Sequence, residues 1–441
     1  MSDVLVVSGG GDVTVAGEDL LVAAARARVL AAELQEIARS LYTAAQDHEL
    51  RILALELDRV ADRLWLVSVL LRAALDAYSV AEAGIERSVE TAIGHGAYWA
   101  GTVAPVALAL VPAPVVLGVA GWLALGAPGA APILAQHRAR LSDPRVVAAL
   151  RLAAGAVDDA VRGAVRLPWM AAVVADDRTT GLFGRERLAR VLLGALPGPV
   201  PAGPLRLRRE GVTEVPPPGT LAELGARIPP PREGDPQLRV ERFDGEEGPV
   251  YALYLGGTLE HGLVPREEPW DMASNVAAMG GAPAQSQEAA VAALRASGAR
   301  PGDPVVLVGY SQGGLIAARL AESGEFRVAG MVTVGSPGGA IPPPEDVPVL
   351  AVEHAEDLVP ALAGPVAAGS RVVVTRSLYD GRPPPSERAV PGHELSEYRS
   401  TLALADRSEE SRVSRVRSDI LGLFPTAGTG RSSAWRAERI R

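Results

Sequence analysis

Apolar positions near the start of the chain recur at helical spacing. Residues 4–16 read as a short strand or extended arm, broken at Gly9–Gly11. Beyond them Leu20, Leu21, Ala24, Val29, Leu30, Leu34, Ile37 and Leu41 fall close to a 3.6-residue period, with Glu18 and Asp19 early in the segment, where acids favour a helix start. Gln46-Asp47-His48 turns the chain, and Leu50, Leu53, Leu57, Val60, Leu64, Val67 and Leu71 carry a second helix from about Glu49 to Tyr78. Two such helices with a short connection make an antiparallel hairpin. A third helical stretch follows over 80–93, and residues 1–97 are assigned to a helical hairpin domain.

Residues 98–135 contain no charged side chain. The length admits a membrane span, yet Pro105, Pro112, Pro114, Pro128 and Pro132 break it. Two readings stand: a helix pair buried in the N-terminal domain, or a broken hairpin in contact with lipid. Trp99 and Trp122 serve as core residues in the first and interfacial anchors in the second. Residues 136–196 return to a helical pattern, with Pro144 at a helix start. Residues 197–237, which hold Pro216-Pro217-Pro218 and Pro229-Pro230-Pro231, read as a linker.

From 238 to 425 the period changes. Short apolar runs, Val250–Leu255, Pro304–Val308, Val328–Val334, Val347–Val352 and Arg371–Thr375, alternate with helical segments at 285–297 and 312–323. The alternation predicts an α/β domain with a mostly parallel, doubly wound sheet. Residues 426–441, rich in Gly, Ser and Arg, read as a disordered tail.

Composition narrows the chemistry. The net charge of −9 argues against a nucleic-acid partner. The absence of Cys removes disulfides, thiolate nucleophiles and Cys-based metal sites. Every basic residue is Arg, a bias of codon usage rather than of chemistry. The N-terminus shows no basic region ahead of an apolar stretch, so the chain is expected to be cytoplasmic or exported without a general secretory signal, with membrane association left open.

The strongest motif is Gly309-Tyr310-Ser311-Gln312-Gly313, a G-x-S-x-G turn between an apolar strand and a helix. Small residues two before and two after the serine let the backbones approach and lift the hydroxyl above the sheet. Ser311 is the expected nucleophile. It needs a base and an acid to orient that base, in the chain order Ser, acid, His. His393, in a loop past the last strand, is the expected base. Asp357 is the expected acid, with Glu353 and Glu356 as alternatives, and His354 is read as structural or pocket-lining. The oxyanion donors are expected to be the amide of Gln312 and that of Thr258 or Gly257, in the Gly256-Gly257-Thr258-Leu259 loop. This chemistry requires no metal or organic cofactor.

Together, the GGT loop, the GYSQG elbow, the HAEDLVP segment and the PGHEL segment resemble the α/β-hydrolase superfamily, in particular class 3 lipases and cutinase-like enzymes. Pro269-Trp270-Asp271-Met272-Ala273-Ser274-Asn275 is similar to a Trp/Asp stretch after the oxyanion loop in some lipases. The resemblance implies a serine esterase or lipase acting on lipid or acyl esters. The same three residues equally support a thioesterase or acyltransferase, and a secreted or membrane-active interaction protein would use the fold as a scaffold. The N-terminal hairpin resembles the WXG-like helical hairpins of actinobacterial type VII secretion substrates, with Tyr78-Ser79-Val80-Ala81-Glu82 matching their Y-x-x-x-[DE] pattern. That resemblance implies export and a partner-binding role for residues 18–77. An ordinary helical face, or a cap over the pocket, is the other reading.

Overall fold

The computed structural model describes residues 5–9, 15–44, 47–70, 130–152, 154 and 203–440, apart from 246–247, 262–264, 365, 367–370 and 387–389. The chain divides into two compact units, one of residues 11–92 and the other of residues 1–10 with 93–441.

In the smaller unit a helix over Val15–Ala44 is followed by one over residues 48–70. Ala24, Ala31 and Ala38 recur every seven residues and are buried, as are Ala54, Ala61 and Ser68. Small side chains at this repeat let two helix backbones approach closely, and Gln35 Nε2 donates to Asp62 Oδ1 at 3.5 Å. The expected third stretch over 80–93, the Tyr78–Glu82 pattern and residues 98–129 of the apolar segment, with Trp99 and Trp122, lie outside the described residues.

Among the described residues the larger unit is built on nine strands: β1 (Leu5–Gly9), β2 (Leu205–Val215), β3 (Leu238–Gly245), β4 (Gly248–Leu255), β5 (Pro304–Tyr310), β6 (Arg327–Val334), β7 (Val349–His354), β8 (Arg371–Arg376) and β9 (Gly430–Arg439). Their order in the sheet is β1-β8-β7-β6-β5-β4-β3-β9-β2. The run from β4 to β8 is parallel, and antiparallel strands flank it on both sides.

Alternate residues of the parallel strands feed two cores. Ala252, Tyr254, Val306, Val308, Val332, Val334, Leu350 and Val352 face Leu224, Tyr398, Leu402, Val413 and Ile420, from the helices Leu221–Ala226, Leu395–Asp406 and Ser411–Leu421. Tyr251, Leu253, Leu255, Val305, Leu307, Met331 and Val349 face Ala290, Leu294, Ile316 and Leu320, from Gln285–Ala296 and Gln312–Ser323. A strand buried on both faces has no polar side to present, which is why these strands read as continuous apolar runs.

Three sequence-based assignments are corrected. Residues 5–9, read as a short strand but grouped with the helical domain, instead form the edge strand β1 of the larger unit's sheet, antiparallel to β8. Within the 197–237 linker, residues 205–215 form β2 and Leu221–Ala226 a short helix capped by Thr220. The tail assigned to 426–441 contains β9, held between β3 and β2, with Trp435 and Ala437 buried. The Gln237 side chain closes a backbone-like pair with Ala437, accepting from its N–H at 2.9 Å and donating to its carbonyl at 3.0 Å. Long-range pairing overrides the weak local β preference of these Arg- and Ser-rich segments.

Helices over Ala130–Leu141 and residues 144–152 account for part of the expected 136–196 helical segment, and Asp143 accepts from the Arg145 N–H at 2.9 Å at the start of the second. Among the described residues no helix is long and apolar enough to cross a membrane.

Candidate active site

The carboxyl ends of parallel strands are where loops of an open α/β sheet converge, and every residue expected to carry chemistry lies there. β5 ends at Tyr310 and the helix Gln312–Ser323 begins one residue later, so Ser311 alone makes the turn. Its backbone takes φ 53° and ψ −121°, in the positive-φ region that non-glycine residues rarely enter. Its N–H donates to Val334 O at 2.9 Å, tying the turn to β6.

The flanking glycines are required by contact. A Cβ on Gly309 would stand 2.4 Å from the Gly313 carbonyl, and one on Gly313 would stand 2.3 Å from Leu255 O at the end of β4. The Ser311 side chain makes no cap bond to its own helix. It meets His393 instead, with 2.8 Å between Oγ and Nε2.

His393 closes a short 3-10 turn, Pro391–His393, just before the helix Leu395–Asp406. Its ring stacks on Tyr310 at 5.1 Å between centroids, and the Tyr310 hydroxyl donates to the His393 carbonyl. Burial raises the Tyr310 phenol pKa, and the Asp357 and Glu394 charges add to the effect, so it stays a donor. His393 Nδ1 lies 2.6 Å from Asp357 Oδ2.

Asp357 follows β7, is wholly buried, and accepts from the Val359 N–H at 2.9 Å through its second oxygen. Burial alone would raise its pKa. The neighbouring His393, with donors from His393, Tyr398 and Val359, outweighs burial and holds it below the usual carboxylate value.

The two alternative acids are committed elsewhere. Glu353 pairs with Arg151 at 2.5 Å. Glu356 accepts from Ser377 Oγ at 2.7 Å and from the Leu378 and Tyr379 amides.

His354 is buried in the packing behind the site. Its ring lies 3.8 Å from that of Tyr398, nearly parallel, with Nδ1 2.8 Å from Gly392 O and Nε2 2.9 Å from Thr401 Oγ1. Burial chiefly lowers its pKa to about 4, with Arg376 and His393 adding and Gly392 and Asp357 opposing. A histidine depressed in the fold is protonated first in the unfolded chain. Stability is therefore kept above the ordinary histidine value of about 6.5 and falls as pH drops from there toward 4, by roughly 3 kcal/mol in all. Urea unfolding at pH 7 and pH 4.5 is expected to show this loss, and His354→Gln is expected to lower that part of the pH dependence.

The remaining expected groups surround the serine. A Cβ on Gly257 would stand 3.3 Å from Ser311 Cβ and 2.8 Å from the Tyr310 ring, so only glycine lets this loop lie against the turn. Thr258 Oγ1 accepts from Asn275 Nδ2 at 2.9 Å. Among the described residues, the amides of Gly257, Thr258 and Gln312 donate to no protein acceptor. The Gln312 side chain turns away, toward Asp271 O at 3.3 Å and Ser286 Oγ at 3.4 Å.

The Trp270-Asp271 stretch singled out in the sequence supports this loop, although its contacts with Gly256 and Arg439 were not legible there. Trp270, wholly buried, donates its indole N–H to Gly256 O at 3.2 Å. Asp271 caps the helix Met272–Met279 and is held by Arg439 of β9 at 2.7 Å. Sequence reasoning missed Tyr398, which donates to Asp357 Oδ2 at 2.6 Å. Arg439 lay in the presumed tail, and nothing local marks a tyrosine in an amphipathic helix as anything but core.

A hydroxyl bonded to an imidazole that is bonded in turn to a buried carboxylate is an arrangement able to activate the hydroxyl, with free amides nearby to receive developing negative charge. A family model described as alpha/beta hydrolase fold matches residues 294–379, a span that runs from the helix before β5 to just past β8 and so includes Ser311 and Asp357 but not His393. Comparison with curated proteins finds no match, and comparison with solved structures finds none.

Proposed function

We propose that the α/β-hydrolase domain is a serine hydrolase that cleaves carboxylic esters of lipid or acyl type, with Ser311 as nucleophile, His393 as base and Asp357 as the acid that orients it. What carries this reading is the unbroken relay from Ser311 Oγ to His393 Nε2 at 2.8 Å and from His393 Nδ1 to the buried Asp357 at 2.6 Å, set at a strained strand-to-helix turn.

In this mechanism His393 Nε2 takes the hydroxyl proton as Ser311 Oγ bonds to the ester carbonyl carbon. The carbonyl oxygen becomes an oxyanion and accepts from the Gln312 amide and from that of Thr258 or Gly257. Asp357 remains ionised, holds the ring in its Nδ1–H tautomer and stabilises the imidazolium. The imidazolium returns the proton to the leaving alkoxide, which departs as an alcohol and leaves an acyl-serine. Water, deprotonated by His393, then attacks the acyl carbon, releases the carboxylic acid and restores Ser311.

Labelling with a fluorophosphonate tests the reading. The expected result is a single adduct that peptide mapping places on Ser311, together with hydrolysis of p-nitrophenyl esters across a chain-length series. A folded protein that takes no label and turns over none of these esters would sink the proposal.

A further inference from the structure

Asp357 Oδ2 carries two hydrogen bonds of equal length, 2.6 Å from His393 Nδ1 and 2.6 Å from the Tyr398 hydroxyl. Resting on the serine-hydrolase reading above, we infer that Tyr398 is a positioning residue for the reaction: its hydroxyl competes with the imidazole for one carboxylate oxygen and so sets both the placement and the basicity of the Asp357–His393 pair.

The ring of Tyr398 is fixed on every side. It is wholly buried. It stacks on His354 at 3.8 Å, and a Cβ on Gly335 would stand 2.7 Å from it, so that glycine leaves the room the ring occupies. His354 bonds Gly392 O, the carbonyl just ahead of His393, and a Cβ on Gly392 would meet Glu356 O at 2.6 Å. Tyr398 therefore touches the acid directly, and through His354 it braces the turn that presents the base.

The chemistry follows from the shared oxygen. Each donor withdraws negative charge from Oδ2. With the phenol in place, the carboxylate binds a proton less readily and stabilises the imidazolium less strongly. Removing the hydroxyl leaves the full charge facing His393, so both members of the pair hold their protons to higher pH. The effect of the lost hydroxyl belongs to the hydrogen-bonded pair and not to either residue alone. The other titratable or charged groups about this cluster include His261 from the segment after β4, Tyr310 from β5, Glu353 and His354 from β7, Arg376 from β8, and Glu394 beside the base. The Tyr398 hydroxyl and His393 Nδ1 both bond Asp357 Oδ2, while the Val359 N–H bonds Oδ1.

The test compares wild type with Tyr398→Phe, which removes one oxygen from an otherwise unchanged ring. Histidine ring NMR signals are followed against pH, with His393 assigned by its loss in His393→Gln. This readout needs no substrate. The titration that moves the His393 signals is expected to move to higher pH in Tyr398→Phe, and the acid limb of kcat/KM to move with it, while kcat falls severalfold and KM is little changed. Placing 3-fluorotyrosine at position 398, a stronger donor that adds one fluorine to the ring, should shift the titration the opposite way and keeps the test open if Tyr398→Phe does not fold. Superimposable titrations in wild type and the folded variants would overturn the inference and leave Tyr398 as packing. A titration that shifts in Tyr398→Phe, together with a wild type that neither hydrolyses esters nor takes a fluorophosphonate, would overturn the serine-hydrolase reading alone.

Discussion

Ser311→Ala is expected to lower kcat for ester hydrolysis by about 10⁴- to 10⁶-fold with little change in KM. The size of the effect comes from what the alanine leaves behind. In the proposed mechanism the Gln312 amide and that of Thr258 or Gly257 would still offer donors to an oxyanion, and His393 and Asp357 would still form a base, but the atom that bonds to the acyl carbon would be gone. Any residual rate must then use water. His393→Ala should cost a similar amount, because a serine hydroxyl without its proton acceptor is a poor nucleophile. The double variant should be little worse than either single one, since the residues act as a unit. Steady-state kinetics on one p-nitrophenyl ester for the three variants would check this. Costs that multiply in the double variant would mean that Ser311 and His393 act independently, and the proposed mechanism would fail.

Gly313→Ala is expected to remove about 4 kcal/mol or more of stability, the level reserved for changes that force backbone apart. The Cβ would stand 2.3 Å from Leu255 O, which belongs to a central strand and has no flexible end to give way. Relief means moving the helix Gln312–Ser323 away from β4, which also withdraws the Gln312 amide from the loop holding Thr258. Gly302→Ala is the control: nothing stands within 4 Å of its Cβ, and the expected change is within ~0.5 kcal/mol. Denaturant midpoints for the pair should differ widely. Near-equal midpoints would show that the elbow has slack that the contacts described above deny it.

The parallel strands and the elbow were legible for one reason. β4 through β8 are covered on both faces, so burial writes itself into the sequence as unbroken Val and Leu runs, and the tight turn after β5 demands glycine at fixed offsets. β9 was illegible because its neighbours make it a strand. Gly430-Arg431-Ser432-Ser433 carries neither an apolar run nor a clean alternation, and its ladder partners, Arg239–Arg242 on one side and Arg431-paired Glu214 on the other, are far away in the chain. β2 failed for the same reason, its residues from Arg208 to Glu214 being exposed.

At the site, type and order of residue were enough to nominate Ser311, Asp357 and His393, because nucleophilic chemistry restricts which side chains serve. The same reasoning could not find Tyr398 or Arg439. Their roles lie in where the phenol of one helix and the guanidinium of the last strand arrive, and that is decided by the whole packing. His354 fell between these cases: its burial at the end of β7 fits the structural reading, while its contact with the Gly392 carbonyl could only be seen in three dimensions.

The place of β9 in the sheet gives the order of synthesis a role in assembly. Among the described strands, β2 is made before seven of the others, yet its neighbour in the sheet is β9, made after all of them. Through most of translation β2 must therefore wait with its backbone unpaired, while β3 presents an open edge to whatever extended chain is near. That edge is consequently open to mispairing with another extended chain until Gly430–Arg439 takes its place between β3 and β2. The Arg- and Glu-rich face of β2, uninformative as a strand signal, is the kind of charge that discourages such pairing while the strand waits.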